Sequence, residues 1–364
     1  MGKKVLYIWF KKYDGILDGG GTENYRMYHL LQGLFGAANV DSFYIHEKDE
    51  KLTIWKRIGI FLNFLKYYHN GITADKIQHI VGVSDKYDYI YLSTSLFGVI
   101  ARELKRNNYK GKIITHFHNV ESVYYAAIIN QLNPIRPIVV KSARQNDMMS
   151  CAYSDKTIVL NKRDDDLLYK YYGRKADATI PITVPDVAGN VVPTITKTKK
   201  KPSCMFLGSN FGPNREGVLW FVNNVLPYVD IEFIIVGKDM DKLKEENKCL
   251  ADIHVVGNAP SLSPFFEQAD FMVLPIFSGS GMKVKTCESL MYGKNIIGTD
   301  EAFEGYYLDY DKVGGKCNTA EEFIDTIKNF SNNPICKYNT YSRKIYEERY
   351  SEASIKTTFA ALFT

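Results

Sequence analysis

Short apolar runs recur along the chain, separated by stretches whose apolar positions return at helical spacing. In the first half the runs are Lys4–Phe10, Tyr87–Leu92, Lys112–His116 and Thr157–Leu160. In the second half they are Ser203–Gly208, Ile234–Gly237, Ile253–Gly257, Phe271–Leu274 and Asn295–Gly298. Near-continuous apolar runs of this length suit parallel strands buried on both faces. Helical patterns lie between them, up to Leu34, over Leu96–Arg106, Glu216–Val225, Ser263–Asp270 and Ala320–Asn329, with a terminal helix over Lys344–Phe363. Alternation of strand and helix predicts an α/β protein with doubly wound, Rossmann-like sheets.

The pattern fails once, over Ile180–Lys201, which holds Pro181, Pro185 and Pro193 and ends in a lysine-rich run. Such a stretch reads as an inter-domain linker. The expected division is a first domain over 1–185, a linker over 186–202 and a second domain over 203–343. A chain of 364 residues is too long for one ordinary core, which agrees with two domains.

One stretch carries most of the chemistry: FMVLPIFSGSGMKVKTCESLMYGKNIIGTD, Phe271 to Asp300. It predicts a strand, a glycine turn at Gly279, Ser280 and Gly281, a helix and a second strand. The glycines free the backbone for positive φ and close approach of a ligand. A helix mouth suits a phosphate, because its N–H groups are unpaired and the peptide dipole is positive there. Lys283 and Lys285 stand in the first turn, where a cation is normally unfavourable and an anion would compensate it. At helical spacing Glu288 shares a face with Gly281, Val284 and Lys285, roughly 10 Å along the axis from the helix mouth. That is about the span from a pyrophosphate to its ribose hydroxyls, and a carboxylate accepts from both hydroxyls of a diol. The plainer alternative is a βαβ unit with a glycine turn and a surface glutamate.

The segment SGSGMKVKTCESLMYGKNIIGTDEAFEGY resembles the nucleotide-binding stretch of glycosyltransferase family 4, retaining enzymes of the GT-B fold, in the form common among bacterial polysaccharide-assembly enzymes. MFLGSNFGPNREGVLWFVNNVLP at 205–227 and IHVVGNAPSLSPFFEQADFMVLP at 253–275 agree in order and spacing. The resemblance spans roughly 200 to 305 and is weaker over the first half. It implies two Rossmann-like domains facing across a cleft, the acceptor on the N-terminal side and the donor on the C-terminal side. The terminal helix, 344–364, would pack back on the first domain. The donor would be a nucleotide-diphosphate sugar, UDP-linked in preference to GDP-linked, moved as a hexose-type sugar with retention to a glycan or lipid-linked oligosaccharide in cell-surface polysaccharide biosynthesis. No cofactor and no metal are implied.

Donor-binding residues implied by the resemblance are Gly20 and Gly21 after the first strand, Gly208, Ser209, Asn210 and Arg215, Asn258 near the nucleobase, and Gly279, Ser280, Gly281, Met282, Lys283, Lys285 and Glu288. The catalytic assignment is His118, Lys283 and Glu288. His118, in HFHNVES at the carboxyl end of a strand, is preferred to His116 for the reacting sugar. Two positions depart from the family pattern. Ser209 stands where relatives carry an arginine, and Ser280 stands where they carry the first of two glutamates. Lys283, Lys285 and Arg215 are left to supply the charge. A catalytically silent partner subunit, or transfer to a protein or small molecule, remains the alternative.

Other features narrow the class. Asp164, Asp165 and Asp166 formally make an Asp-x-Asp metal motif, but acids opening a helix suit its dipole. Lys141, Arg144 and Asn146 are candidate cleft or acceptor contacts. Six scattered cysteines lack metal or disulfide spacing, which points to reduced thiols in a cytoplasm. No signal peptide or apolar run of ~20 residues is present, and the net charge of +5 is dispersed, a poor fit to nucleic acid. Residues 51–69 mix aromatic and basic positions at helical spacing, as either a membrane-touching helix or a core-packed one with a basic edge. Oligomeric state stays open.

Overall fold

The structure is a computed structural model, and it describes residues 2–11, 19–46, 59, 62–69, 71–189, 195–196, 201–331 and 335–364. The chain divides into two compact units, one formed by Met1–Pro181 with Lys356–Thr364, the other by Ile182–Ile355. Among the described residues no helix is long and apolar enough to cross a membrane.

The first unit is built on a parallel sheet of β1 (Val5–Lys11), β2 (Val40–His46), β3 (Tyr89–Leu92), β4 (Lys112–Phe117), β5 (Lys156–Val159) and β6 (Ala178–Thr179), in the order β2-β1-β3-β4-β5-β6. Its strands are apolar on both faces because helices cover both, and Leu6, Ile8, Ile90, Leu92 and Ile113 are buried. Helix α1 (Gly19–Phe35) follows β1, while α2 (Glu121–Ile128) and α3 (Arg136–Tyr153) follow β4.

The second unit repeats the plan with β7 (Ser203–Leu207), β8 (Glu232–Val236), β9 (His254–Val256), β10 (Phe271–Leu274), β11 (Asn295–Gly298) and β12 (Gly314–Lys316). Their order is β9-β8-β7-β10-β11-β12, all parallel. Helix α4 (Gly212–Asn224) follows β7, and α5 (Val284–Met291) links β10 to β11. The chain order reverses between β7 and β10, so the loops leaving their carboxyl ends open a crevice suited to a ligand. Gly217 of α4 makes that geometry possible. A Cβ there would lie 2.0 Å from the carbonyl oxygen of Pro275, the residue that leaves β10.

Several elements differ from their sequence expectation. Gly20 and Gly21, expected as a turn after the first strand, lie in the first turn of α1. The terminal helix is broken into Thr340–Ile345, a π-helical turn over Tyr346–Tyr350 and α6 (Glu352–Ala361). Only Lys356–Thr364 of it belongs to the first unit, where Phe363 packs on Tyr89 and Phe35. Asn146 is not a ligand contact. Its side-chain oxygen accepts from Val99 N, and its amide donates to the Tyr67 and Ser142 carbonyls. The Asp164–Asp166 run opens a helix whose cap is Asn161, and all three carboxylates have partners within the unit. Of the 51–69 stretch, residues 51–58, 60 and 61 lie outside the described residues, and 62–65 are helical.

Gly217→Ala is expected to lower the chemical-unfolding stability of the second unit by about 2 kcal/mol through overpacking against Pro275. An unchanged unfolding midpoint would show that α4 shifts without cost.

Candidate active site

The turn leaving β10 does not open directly into helix. Gly279 has φ 141° and Gly281 φ 65°, values outside any right-handed helix, so α5 begins only at Val284 with Lys283 as its N-cap. Two consequences correct the sequence geometry. Gly281 does not share a helical face with Glu288, and Glu288 stands one turn into α5, about 6 Å along the axis. Lys283 caps the helix with extended backbone, and no side chain hydrogen-bonds there as a cap.

The two lysines have different surroundings. The Lys283 ammonium meets Glu301 Oε1 at 2.6 Å and the Gly281 carbonyl at 2.8 Å, and its side chain is 12% exposed. Its backbone carbonyl accepts from the Tyr306 hydroxyl. Lys285 instead donates to a neutral group, Asn214 Oδ1, at 2.5 Å, with its ammonium 4.7 Å above the Phe206 ring. Burial, reinforced by the Lys283 charge and opposed by Glu288, lowers its pKa to about 7. Glu288 lies one turn further along α5 (i+3), facing Lys285. Burial raises its pKa to about 7 despite the pull of Lys285, and its carboxylate accepts no hydrogen bond among the described residues.

Gly208 at the end of β7 allows this arrangement. A Cβ there would lie 2.8 Å from the Lys285 ammonium and 2.9 Å from the Asn214 amide nitrogen. Asn214 is itself fixed by donating to the Ser209 carbonyl at 2.8 Å. Thus Gly208, Ser209, Asn214, Lys285 and Glu288 come together at the β7–β10 crevice. Arg215 does not supply free charge: it pairs with Glu246 at 2.8 Å and donates to Asn210 Oδ1 at 3.0 Å. Met282 is buried, leaving only its backbone to offer a ligand. Ser280 is half-buried in the turn, and Asn258 is exposed at φ 55°.

The first unit holds a separate polar cluster beyond β4. Glu23, His116 and His118 bring ligand atoms within 4.8 Å of one another, and the rings of His116 and His118 stand edge to face at 4.7 Å. His116 is fully buried, with Nδ1 3.1 Å from the Tyr91 hydroxyl. His118, just past the strand, is half-buried. The Nε2 atoms of both are buried without a hydrogen-bond partner. Burial lowers the pKa of both rings, that of His118 to about 4, and the Arg26 charge adds to the effect. Both rings are therefore neutral near pH 7. Arg26 already engages the Glu23 carboxylate. Arg26 and Glu23 thus form an ion pair beside two neutral imidazoles whose Nε2 atoms are left for a ligand.

Asn214 and Glu301 escaped the sequence reading. Each meets its lysine across a tertiary contact, 71 and 18 positions away, and no local spacing announces either.

Residues 201–333 match the family model of glycosyl transferases group 1. No curated protein matches the chain. Among solved structures, sucrose-phosphate synthase from Thermosynechococcus elongatus superposes with TM-score 0.72 at 14% identity, covering 99% of this chain and 98% of that one. HepE of Anabaena in complex with UDP-glucose gives 0.70 at 12% identity, covering 99% and 98%. The lipopolysaccharide outer core galactosyltransferase WaaB gives 0.63 at 14%, covering 99% of each chain.

Carbon-13 NMR of the glutamate carboxyls is expected to show Glu288 titrating near pH 7, well above the ordinary 4.5. Lys285→Met is expected to move that midpoint higher still, because the cation that favours the ionised form is gone. A midpoint in the ordinary carboxylate range would refute the burial that defines the pair.

Proposed function

We infer that this chain, a GT-B glycosyltransferase whose residues 201–333 belong to the glycosyl transferases group 1 family, moves a hexose-type sugar from a UDP-linked donor to a glycan or lipid-linked oligosaccharide. The acceptor assignment, retention of configuration and a role in cell-surface polysaccharide assembly rest on the sequence resemblance. The observation that carries the donor assignment is the Lys285–Glu288 pair at the β7–β10 crevice. A cation with one neutral hydrogen-bond partner and a carboxylate with none stand one helical turn apart there. Solved structures of HepE with UDP and with UDP-glucose support a nucleotide-sugar ligand for this fold.

In this proposal Lys285 meets the diphosphate and Glu288 accepts from the ribose hydroxyls. Lys283, engaged by Glu301, holds the turn in shape instead of contacting phosphate. Breaking the glycosidic bond adds about one negative charge to the leaving diphosphate. That charge favours protonated Lys285 and the positive end of α5 more in the transition state than in the ground state, which is the condition for catalysis. No step of this scheme calls on a metal ion or a cofactor. His118 and His116, neutral with unpartnered Nε2 atoms, are assigned to sugar hydroxyls, His118 by preference because it is the more accessible.

Calorimetry with UDP and UDP-glucose tests the donor site. Glu288→Gln and Lys285→Met are each expected to weaken UDP at least tenfold, with a smaller loss for Lys283→Met; equal affinities across the three variants would overturn the assignment. Proton linkage gives a second test. Lys285 is largely neutral at pH 8 in the free protein, since its pKa is about 7, and a bound diphosphate raises that pKa. UDP binding at pH 8 is therefore expected to take up close to one proton, read from the dependence of binding heat on buffer ionisation. Lys285→Met should abolish the uptake, and wild-type binding without uptake would remove Lys285 from the phosphate.

A further inference from the structure

The polar cluster beyond β4 holds a second kind of donor set. Alternation along a strand puts positions 116 and 118 on one side of the chain, and the rings of His116 and His118 meet edge to face at 4.7 Å. Glu23 of α1 joins them, and the three side chains offer ligand atoms all within 4.8 Å of one another. Among the described residues no other trio of histidine, cysteine, aspartate or glutamate side chains converges in this way.

Hydrogen bonding fixes the tautomer of His116. Its Nδ1 lies 3.1 Å from the Tyr91 hydroxyl, and that hydroxyl lies 3.5 Å from Met27 Sδ. With the proton on Nδ1, the ring donates to Tyr91, Tyr91 donates to Met27, and both donors have an acceptor. With the proton on Nε2, a buried N–H would have none, because no partner stands at that atom. His116 Nε2 therefore keeps its lone pair, the form in which imidazole binds a metal. The opposite nitrogen is held by a neighbour, the arrangement that orients metal-ligating histidines. His118 Nε2 is buried without a partner as well.

Arg26 tempers the site without closing it. Its guanidinium engages Oε1 of Glu23, and a carboxylate can serve a guanidinium and a metal ion together. The guanidinium charge opposes a dication, which sets the expected affinity in the micromolar range and no tighter. Two imidazole nitrogens and a carboxylate oxygen, with the fourth position left for water, form a donor set that zinc accepts. Bonds of about 2.0–2.2 Å would place such ligand atoms about 3.3 Å apart, so small side-chain adjustments complete the tetrahedron. Magnesium, which takes oxygen ligands, is a poor match.

We propose that Glu23, His116 and His118 bind one divalent ion of the zinc class. The binding depends on the first unit alone and is independent of the donor assignment. One consequence does rest on the sugar reading of the histidines. The ion takes the nitrogens assigned there to hydroxyl groups, so zinc inhibits transfer and does not assist it.

Calorimetry of the untagged, chelator-treated full chain with zinc chloride tests the binding. One equivalent is expected at micromolar affinity, with magnesium chloride binding at least tenfold more weakly. His118→Gln and Glu23→Gln are each expected to weaken zinc at least tenfold, with the fold checked by near-ultraviolet circular dichroism. Cys249→Ser, which removes an exposed thiol, is expected to leave the affinity unchanged. Nitrogen-15 NMR of the wild-type imidazoles needs no variant: His116 is expected in the Nδ1–H form, and zinc is expected to shift Nε2 of His116 and His118. Absence of zinc binding, wild-type affinity in both ligand variants, loss of binding in Cys249→Ser, or histidine resonances that zinc leaves in place would overturn the proposal.

Discussion

The second unit depends on how closely backbone can approach backbone and side chain at the ends of two neighbouring strands. Gly217 lets α4 press against the Pro275 carbonyl, and Gly208 leaves room for the Lys285 ammonium beside Asn214. A methyl group at either place would occupy space already taken. The strand ends and the two helices behind them therefore have one mutual arrangement, and within it a lysine is held above a phenylalanine ring with a single amide for company. Desolvation of that lysine costs stability in the free protein. A bound anion at the same place would return the cost as affinity.

The two lysines of the turn illustrate how environment separates chemically identical groups. The Lys283 ammonium meets the Glu301 carboxylate and the Gly281 carbonyl, and the residue's own carbonyl accepts from the Tyr306 hydroxyl. Lys285 has a neutral partner, and its pKa and that of Glu288 converge near 7 from opposite directions. Burial disfavours both charges, and each charge partly rescues the other. The protonation state of such a coupled pair belongs to the pair as a whole.

Much of this fold was legible in the chain because parallel strands buried on both faces leave long apolar runs. The runs at Phe271–Leu274 and Asn295–Gly298 coincide with the observed strands, since packing on both sides left no alternating face to blur their limits. Charge placement was less legible. Arg215 and Lys283 stand where free cations were expected, yet Glu246 and Glu301 neutralise them through contacts that only the folded chain creates. Gly19–Gly21 misled for a different reason. Glycine permits a loop without requiring one, and the turn of α1 absorbed all three at a cost of roughly 1 kcal/mol each relative to alanine. The histidines were legible as a position at a strand end, but not the orphaned Nε2 atoms, which follow from burial.

The discontinuity of the first unit has a consequence for biosynthesis. Ile182–Ile355 is one unbroken segment inserted within the other unit, whose final piece, Lys356–Thr364, supplies the aromatic cover over Tyr89 and Phe35. As the chain leaves the ribosome, the later segment has every residue it needs before the earlier one does. The unit begun first is completed after the other, and until then its sheet lacks the aromatic cover that Phe363 lays over Tyr89 and Phe35.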